Sequence, residues 1–167
     1  MPNFSILDDT KNALNEIKGS INSSLKQSFE QYQQYVLDLN RKQMFDGTKS
    51  DDTLILPPYA DSYVKIKIKK SQPYDRVTLK DTGAFYNSLI LEAFDDEVKF
   101  KITSALQYGN YLITRYSSSF NTGLGSNLSG KSAGSILGLN TTNKTSFLND
   151  KIIPILKQNI DDIIAKS

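Results

Sequence analysis

The stretch TLKDTGAFYNSLILEAFDDEVKFKITS, residues 78–104, decides the fold class. An apolar run from Phe85 to Phe94 meets the polar Asp95-Asp96-Glu97. Val98, Phe100 and Ile102 then alternate with Lys99, Lys101 and Thr103. Two such runs around a short polar turn predict a β-hairpin. A helical start at GAFYNSL, residues 83–89, is compatible with the same letters.

The flanks of this hairpin read as helices. Upstream, Leu14, Ile17, Ile21, Leu25, Phe29, Tyr32 and Val36 are spaced 3, 4, 4, 4, 3 and 4 apart, one helical stripe from Asp9 to about Met44. Asp9 or Thr10 can cap it, and the glycine of FDG, residues 45–47, can stop it. Such a helix would be roughly 55 Å long, against about 30 Å for a small domain. It therefore either breaks near KGS, residues 18–20, where a glycine costs about 1 kcal/mol, or reaches beyond its own domain to a neighbour. Downstream, TSFLNDKIIPILKQNIDDIIAKS (145–167) predicts an amphipathic helix with Phe147, Leu148, Ile152, Leu156, Ile160 and Ile163 on one face, Thr145 as cap and a kink at Pro154.

Between them, SYVKIKIKK (62–70) alternates as a half-buried strand does, with a short Lys-rich helix as the other reading. Residues 104–116 read as helix or turn. Residues 117–135, SSSFNTGLGSNLSGKSAGS, read as a long flexible loop or arm dense in Ser and Gly. The expected fold is α+β: a long N-terminal helix, a small antiparallel sheet with a β-hairpin, a long Ser/Gly-rich loop and a C-terminal amphipathic helix. At 167 residues one domain is expected, divided into a helical region (1–46), a mixed core (47–116), the loop (117–135) and a second helical region (136–167).

The inventory narrows the chemistry. With no Cys and no His, disulfides, thiolate or imidazole metal sites, and Ser-His or Cys-His nucleophiles are excluded. A net charge of +2 is low for a dedicated nucleic-acid binder. No signal peptide and no apolar run of roughly 18 residues is visible, so a cytoplasmic origin and no membrane partner are expected.

Two motifs carry sharper chemistry. GSNLSGKS, residues 125–132, fits the phosphate-loop pattern letter for letter at Gly125, Gly130, Lys131 and Ser132. Its upstream flank is polar, and no apolar strand ending in Asp follows to hold magnesium, so it reads as a solvated loop. Asp81-Thr82-Gly83 is the signature of retropepsin-like aspartic proteases, in which two such aspartates share a proton. Lys80 stands where that family buries an apolar residue, ILGLN (136–140) has Leu139 where it places arginine, and no Gly-rich flap precedes it. The plainer reading is a turn or cap. Lys65, Lys67, Lys69 and Lys70 read as a solvated face, and the tyrosines as core and interface anchors. No catalytic, cofactor-binding or metal-binding residue is assigned. The candidates for contact with a neighbour are Leu14, Ile17, Ile21, Leu25, Phe29 and Tyr32 on the first helix, and Phe120, Leu124 and Leu128 in the loop.

The order of signals from residue 39 to 89, with TLKDTGAFYNSL at its centre, followed by ILGLNTTNKTSFLNDKIIPIL (136–156), resembles small structural proteins of tailed bacteriophages. These are neck, head–tail connector and tail-completion proteins, also described as virion morphogenesis or minor tail components. The resemblance spans about two thirds of the chain and excludes residues 1–30 and the 117–135 loop. It implies a virion subunit, assembled in the host bacterial cytoplasm, that closes into a homo-oligomeric ring around the DNA channel. Its implied partners are a portal or adjacent connector ring, a tail tube or tail terminator protein, and packaged double-stranded DNA passing without sequence-specific contact. No cofactor and no enzymatic activity are implied.

Overall fold

A computed structural model describes residues 4–94, 98–103, 108–117 and 134–165. The predicted N-terminal stripe forms two consecutive helices, α1 (Phe4–Gln31) and α2 (Gln33–Phe45). The helix is already formed at Phe4, so neither Asp9 nor Thr10 caps it. The break falls at Tyr32, with φ −101° and ψ 16°, and not at Gly19. Tyr32 is drawn out of helical geometry while its ring packs edge-on against Phe147, 6.4 Å between centroids. Among the described residues nothing lies within 4 Å of where a Gly19 Cβ would stand, and an established helix carries one glycine at about 1 kcal/mol. As expected, α2 ends just before Gly47, whose N–H donates to the Met44 carbonyl at 3.0 Å and whose φ of 80° turns the following chain out of the helix.

The stretch 62–70 is a helix, α3 (Asp61–Lys69), which overturns the strand reading. A strand needs a partner for its backbone groups, and among the described residues the sheet holds two strands only. A short helix closes those bonds locally, and it brings the Lys67 ammonium over the rings of Tyr59 and Tyr63, at 5.3 and 5.5 Å.

Gly83, with φ 89°, opens the single-turn α4 (Ala84–Asn87), so the helical start within GAFYNSL also forms. The predicted hairpin follows as antiparallel β1 (Leu89–Ala93) and β2 (Val98–Ile102), in register from Leu89↔Ile102 to Ala93↔Val98. The fold is α+β. α2 lies on β1, where Gln33 donates to the Leu91 carbonyl at 2.8 Å, and on α4, where Arg41 donates to the Tyr86 carbonyl at 3.0 Å. α5 (Gly109–Ser117) ends near the buried Tyr116.

The C-terminal region is α6 (Thr141–Phe147), a π turn (Leu148–Ile152) and α7 (Ile153–Ile164). The cap is Asn140, whose side chain accepts from the Asn143 N–H at 2.9 Å; Thr145 lies inside the helix. Asn140 wins because its amide oxygen sits before the first turn, where the free N–H groups are. Pro154, lacking an N–H, follows a turn wound one residue wide. The five-residue step aligns Phe147 with Ile152, and both are buried. Leu148 and Ile160 rotate outward, so the single face predicted for this helix is split.

Phe147 meets Phe29 at 5.2 Å, and Asn159 donates to the Ser24 hydroxyl at 2.7 Å. As the chain advances from 147 to 159 its contacts on α1 retreat from Phe29 to Ser24, so α7 runs antiparallel to α1.

Candidate functional site

The site grows from the Thr78–Gly83 segment. Thr78 is wholly buried. The Tyr59 hydroxyl accepts from the N–H groups of Thr78 and Leu79, at 2.9 and 3.2 Å, and the Tyr86 hydroxyl donates to the Thr78 carbonyl at 2.5 Å. Burial, then the nearby Tyr59 and Asp46, pushes the Tyr86 phenol far above its usual range, so it stays a donor. Leu79 sits at φ 55°, a conformation a branched side chain holds only when its neighbours fix it.

Lys67 is the unexpected member. Only 1% exposed, it donates to Gln72 Oε1 at 2.9 Å and to the Lys80 carbonyl. Gln72 in turn donates to the Asp81 carbonyl at 2.8 Å, and Lys70 pairs with the Asp81 carboxylate at 2.5 Å. Lys65, Lys69 and Lys70 are exposed, as the solvated-face reading expects; Lys67 is not. The Asp-Thr-Gly tripeptide is thus held by the end of α3. Its Thr82 hydroxyl accepts from the Ala84 N–H at 3.3 Å, the plain turn-and-cap role.

Lys67 meets uncharged acceptors and ring faces. Lys67→Met is therefore expected to change unfolding free energy by about 1 kcal/mol or less, whereas Lys67→Glu, a carboxylate among acceptors, costs roughly 3 kcal/mol or more. Urea unfolding followed by tyrosine fluorescence separates the two. Equal losses would show that the ammonium itself is indispensable.

Above this segment lies a recess of about 420 Å³ walled by Tyr59, Tyr63, Tyr108, Tyr111 and Tyr116, with Arg115 beside them and residues 81–85 along one side. Tyr108, Tyr111, Arg115 and Tyr116 follow helical spacing, and Tyr59 and Tyr63 are four apart. Arg115 donates to the Tyr111 hydroxyl at 2.9 Å, and its guanidinium stands 5.5 Å from the Tyr116 ring centroid. Hydrogen bonding to Tyr116 and Tyr111 holds it more firmly protonated than usual. Burial raises the Tyr63 phenol, and the Asp81 charge adds to it. Among the described residues the pocket offers aromatic faces, the Arg115 guanidinium and the Asp81 carboxylate, a setting for a polar group on an apolar body.

A second recess, about 730 Å³, is lined by Phe29 and Val36 of the helices, Phe100 of β2, Leu137 and Leu139 of the returning chain, and Leu148 of the π turn. That returning chain is clasped to α2. Asn40 donates to the Ile136 and Gly138 carbonyls at 3.1 and 2.9 Å, and Gln43 bridges the Gly138 carbonyl and the Asn140 N–H at 3.0 and 2.7 Å. Asp51 accepts from the Gly134 N–H at 2.8 Å. Its carboxyl lies below the usual range: partial burial opposes the charge, but hydrogen bonds from Thr53 and Gly134 outweigh it.

The contact residues expected from sequence divide. Leu14 is 62% exposed, and Ile17 and Ile21 are half-buried. Leu25, Phe29 and Tyr32 pack against the protein's own core. Phe120, Leu124 and Leu128 lie outside the described residues, as do the loop segment 118–133 and the whole phosphate-loop match. Asn40, Gln43 and Lys67 were hidden from sequence reasoning because polar residues on a helical stripe read as surface. Among the described residues no carboxylate cluster suits a metal ion, and no helix is long and apolar enough to cross a membrane. Comparison with protein-family models, with curated proteins and with solved structures finds no match to this chain.

Proposed function

We propose that this chain is a structural subunit of the neck, head–tail connector or tail-completion assembly of a tailed bacteriophage. In this reading it forms a ring around the DNA channel and joins the portal side of the head to the tail. The resemblance around TLKDTGAFYNSL motivates the reading. The observation that carries it is α1, 28 residues and so roughly 42 Å long, with Leu14 62% exposed and packing against the core beginning at Leu25. Leu14 is the apolar residue of the stripe left exposed beyond the stretch that α7 packs along, and it is the part of α1 open to a partner. Two recesses built from different elements supply further unpartnered surface, and head-to-tail contacts between unlike surfaces close into rings when the rotation permits.

The test is light scattering on the purified chain, alone and with a portal or connector ring, followed by negative-stain microscopy. A hollow ring of about six to twelve copies is expected. A chain that stays monomeric with every such ring present, or a dimer whose peptide cleavage disappears in Asp81→Asn, would sink the proposal.

A further inference from the structure

We propose that the free edge of β2 takes an added strand from an adjacent copy, the extended segment Thr53-Leu54-Ile55-Leu56, whose two outer leucines then enter the larger recess. The inference rests on the ring reading and names a contact from which such a ring is built.

The backbone of β2 is used on one side only. The Thr103 N–H donates to the Ser88 carbonyl at 2.8 Å, and in the β1–β2 register this turns the N–H and C=O groups of Lys99 and Lys101 toward β1. Those of Val98, Phe100 and Ile102 therefore face away, and no described residue bonds to them. Four consecutive β2 residues, Val98 to Lys101, line the recess of about 730 Å³ and no residue of β1 does, so the free edge opens onto it. The segment 53–56 is half-used in the same way. The Thr53 carbonyl accepts from the Lys49 N–H, and the Ile55 N–H donates to the Gly47 carbonyl, both at 2.8 Å. Leu54, opposite Thr48 between those two bonds, thus turns its own N–H and C=O outward. Leu54 is 61% and Leu56 53% exposed, Ile55 between them is buried, and neither leucine lines the recess of its own copy. The two edges match in parity. In an antiparallel pair, residues that both turn their backbone groups to the seam stand opposite one another with their side chains on one face. Leu54 then lies beside Phe100, which packs against the core, and on the face away from the exposed Lys99 and Lys101. The floor it meets is made by Phe29, Val36 and Phe147, and Pro57, with no N–H, ends the added strand. A second β2 is a poorer occupant: paired antiparallel about Phe100 it would set Lys99 against Lys101, whereas 53–56 carries no charge. The two edges belong to different elements, which is what a head-to-tail contact requires.

Replacing Leu54 by the photoreactive p-benzoylphenylalanine changes an exposed side chain and keeps the backbone groups in place. Irradiation of the concentrated full chain is expected to give covalent dimers and higher ladders, with the adduct mapping by mass spectrometry to β2 or to the recess walls. Val98→Pro, at the first residue of its strand, removes an outward N–H and no bond to β1. Leu148→Glu puts a charge on a recess wall that is 44% exposed. Each variant, checked for retained helicity by circular dichroism, is expected to lower the yield roughly tenfold. They alter different elements, so if one fails to fold the other decides. No intermolecular adduct, an adduct outside the recess, such as one to the 53–56 segment of the second copy, or a yield indifferent to the folded variants overturns the proposal. Rings seen by microscopy without this adduct would remove the contact and leave the function standing. The adduct in a species that never exceeds two copies would keep the contact and remove the ring.

Discussion

Phe147→Ala is expected to lower the unfolding free energy by about 3–5 kcal/mol, the range for emptying a buried phenylalanine site. Phe147 is 2% exposed, and its ring is met by Phe29 at 5.2 Å, Tyr35 at 6.2 Å and Tyr32 at 6.4 Å. Three aromatic partners on α1, Tyr32 and α2 cannot all collapse into the space it leaves, so the cavity term adds to the lost transfer energy. The loss should fall chiefly on the docking of α6 and α7 against α1. Urea unfolding read by circular dichroism would measure it, and Phe147→Leu should recover more than half. A cost below about 1 kcal/mol would mean that the C-terminal helices contribute little to the fold.

Asn40→Leu is the second large effect, roughly 2–4 kcal/mol. The side chain is wholly buried and ties two carbonyls of the returning chain to α2. Leucine keeps the volume and removes both donors, so the cost is one of polar satisfaction. Gln43 still reaches Gly138, which should keep the clasp from failing completely. Hydrogen exchange should rise first at residues 134–140, because Ile136 and Leu139 are held down by that clasp. Exchange rising uniformly over the whole chain would show instead that the clasp is no separate unit.

Much of the architecture was legible in sequence because burial repeats with the period of the backbone. The stripe from Ile17 to Val36 and the hairpin from Leu89 to Ile102 follow that rule, and the stop at Gly47 was legible because glycine adopts a positive φ freely. The stretch 62–70 misled because alternation is a strand signal only where a neighbouring strand exists to pair with it. The break at Tyr32 and the shifted face after Phe147 escaped because each is set by ring packing between segments more than a hundred residues apart. The tyrosine pocket was legible only in halves: Tyr59 with Tyr63, and Tyr108 with Tyr111 and Arg115. Nothing local says that the halves meet.

The π turn has a genetic consequence. By carrying Ile152 under Phe147 it sends Leu148 and Ile160 outward, so neighbouring apolar letters in one helix answer to different selections. Lesions at the inward pair are expected to cost folding stability. Lesions at the outward pair are expected to leave the chain folded, and under the ring proposal a screen for folded but assembly-defective alleles would collect there.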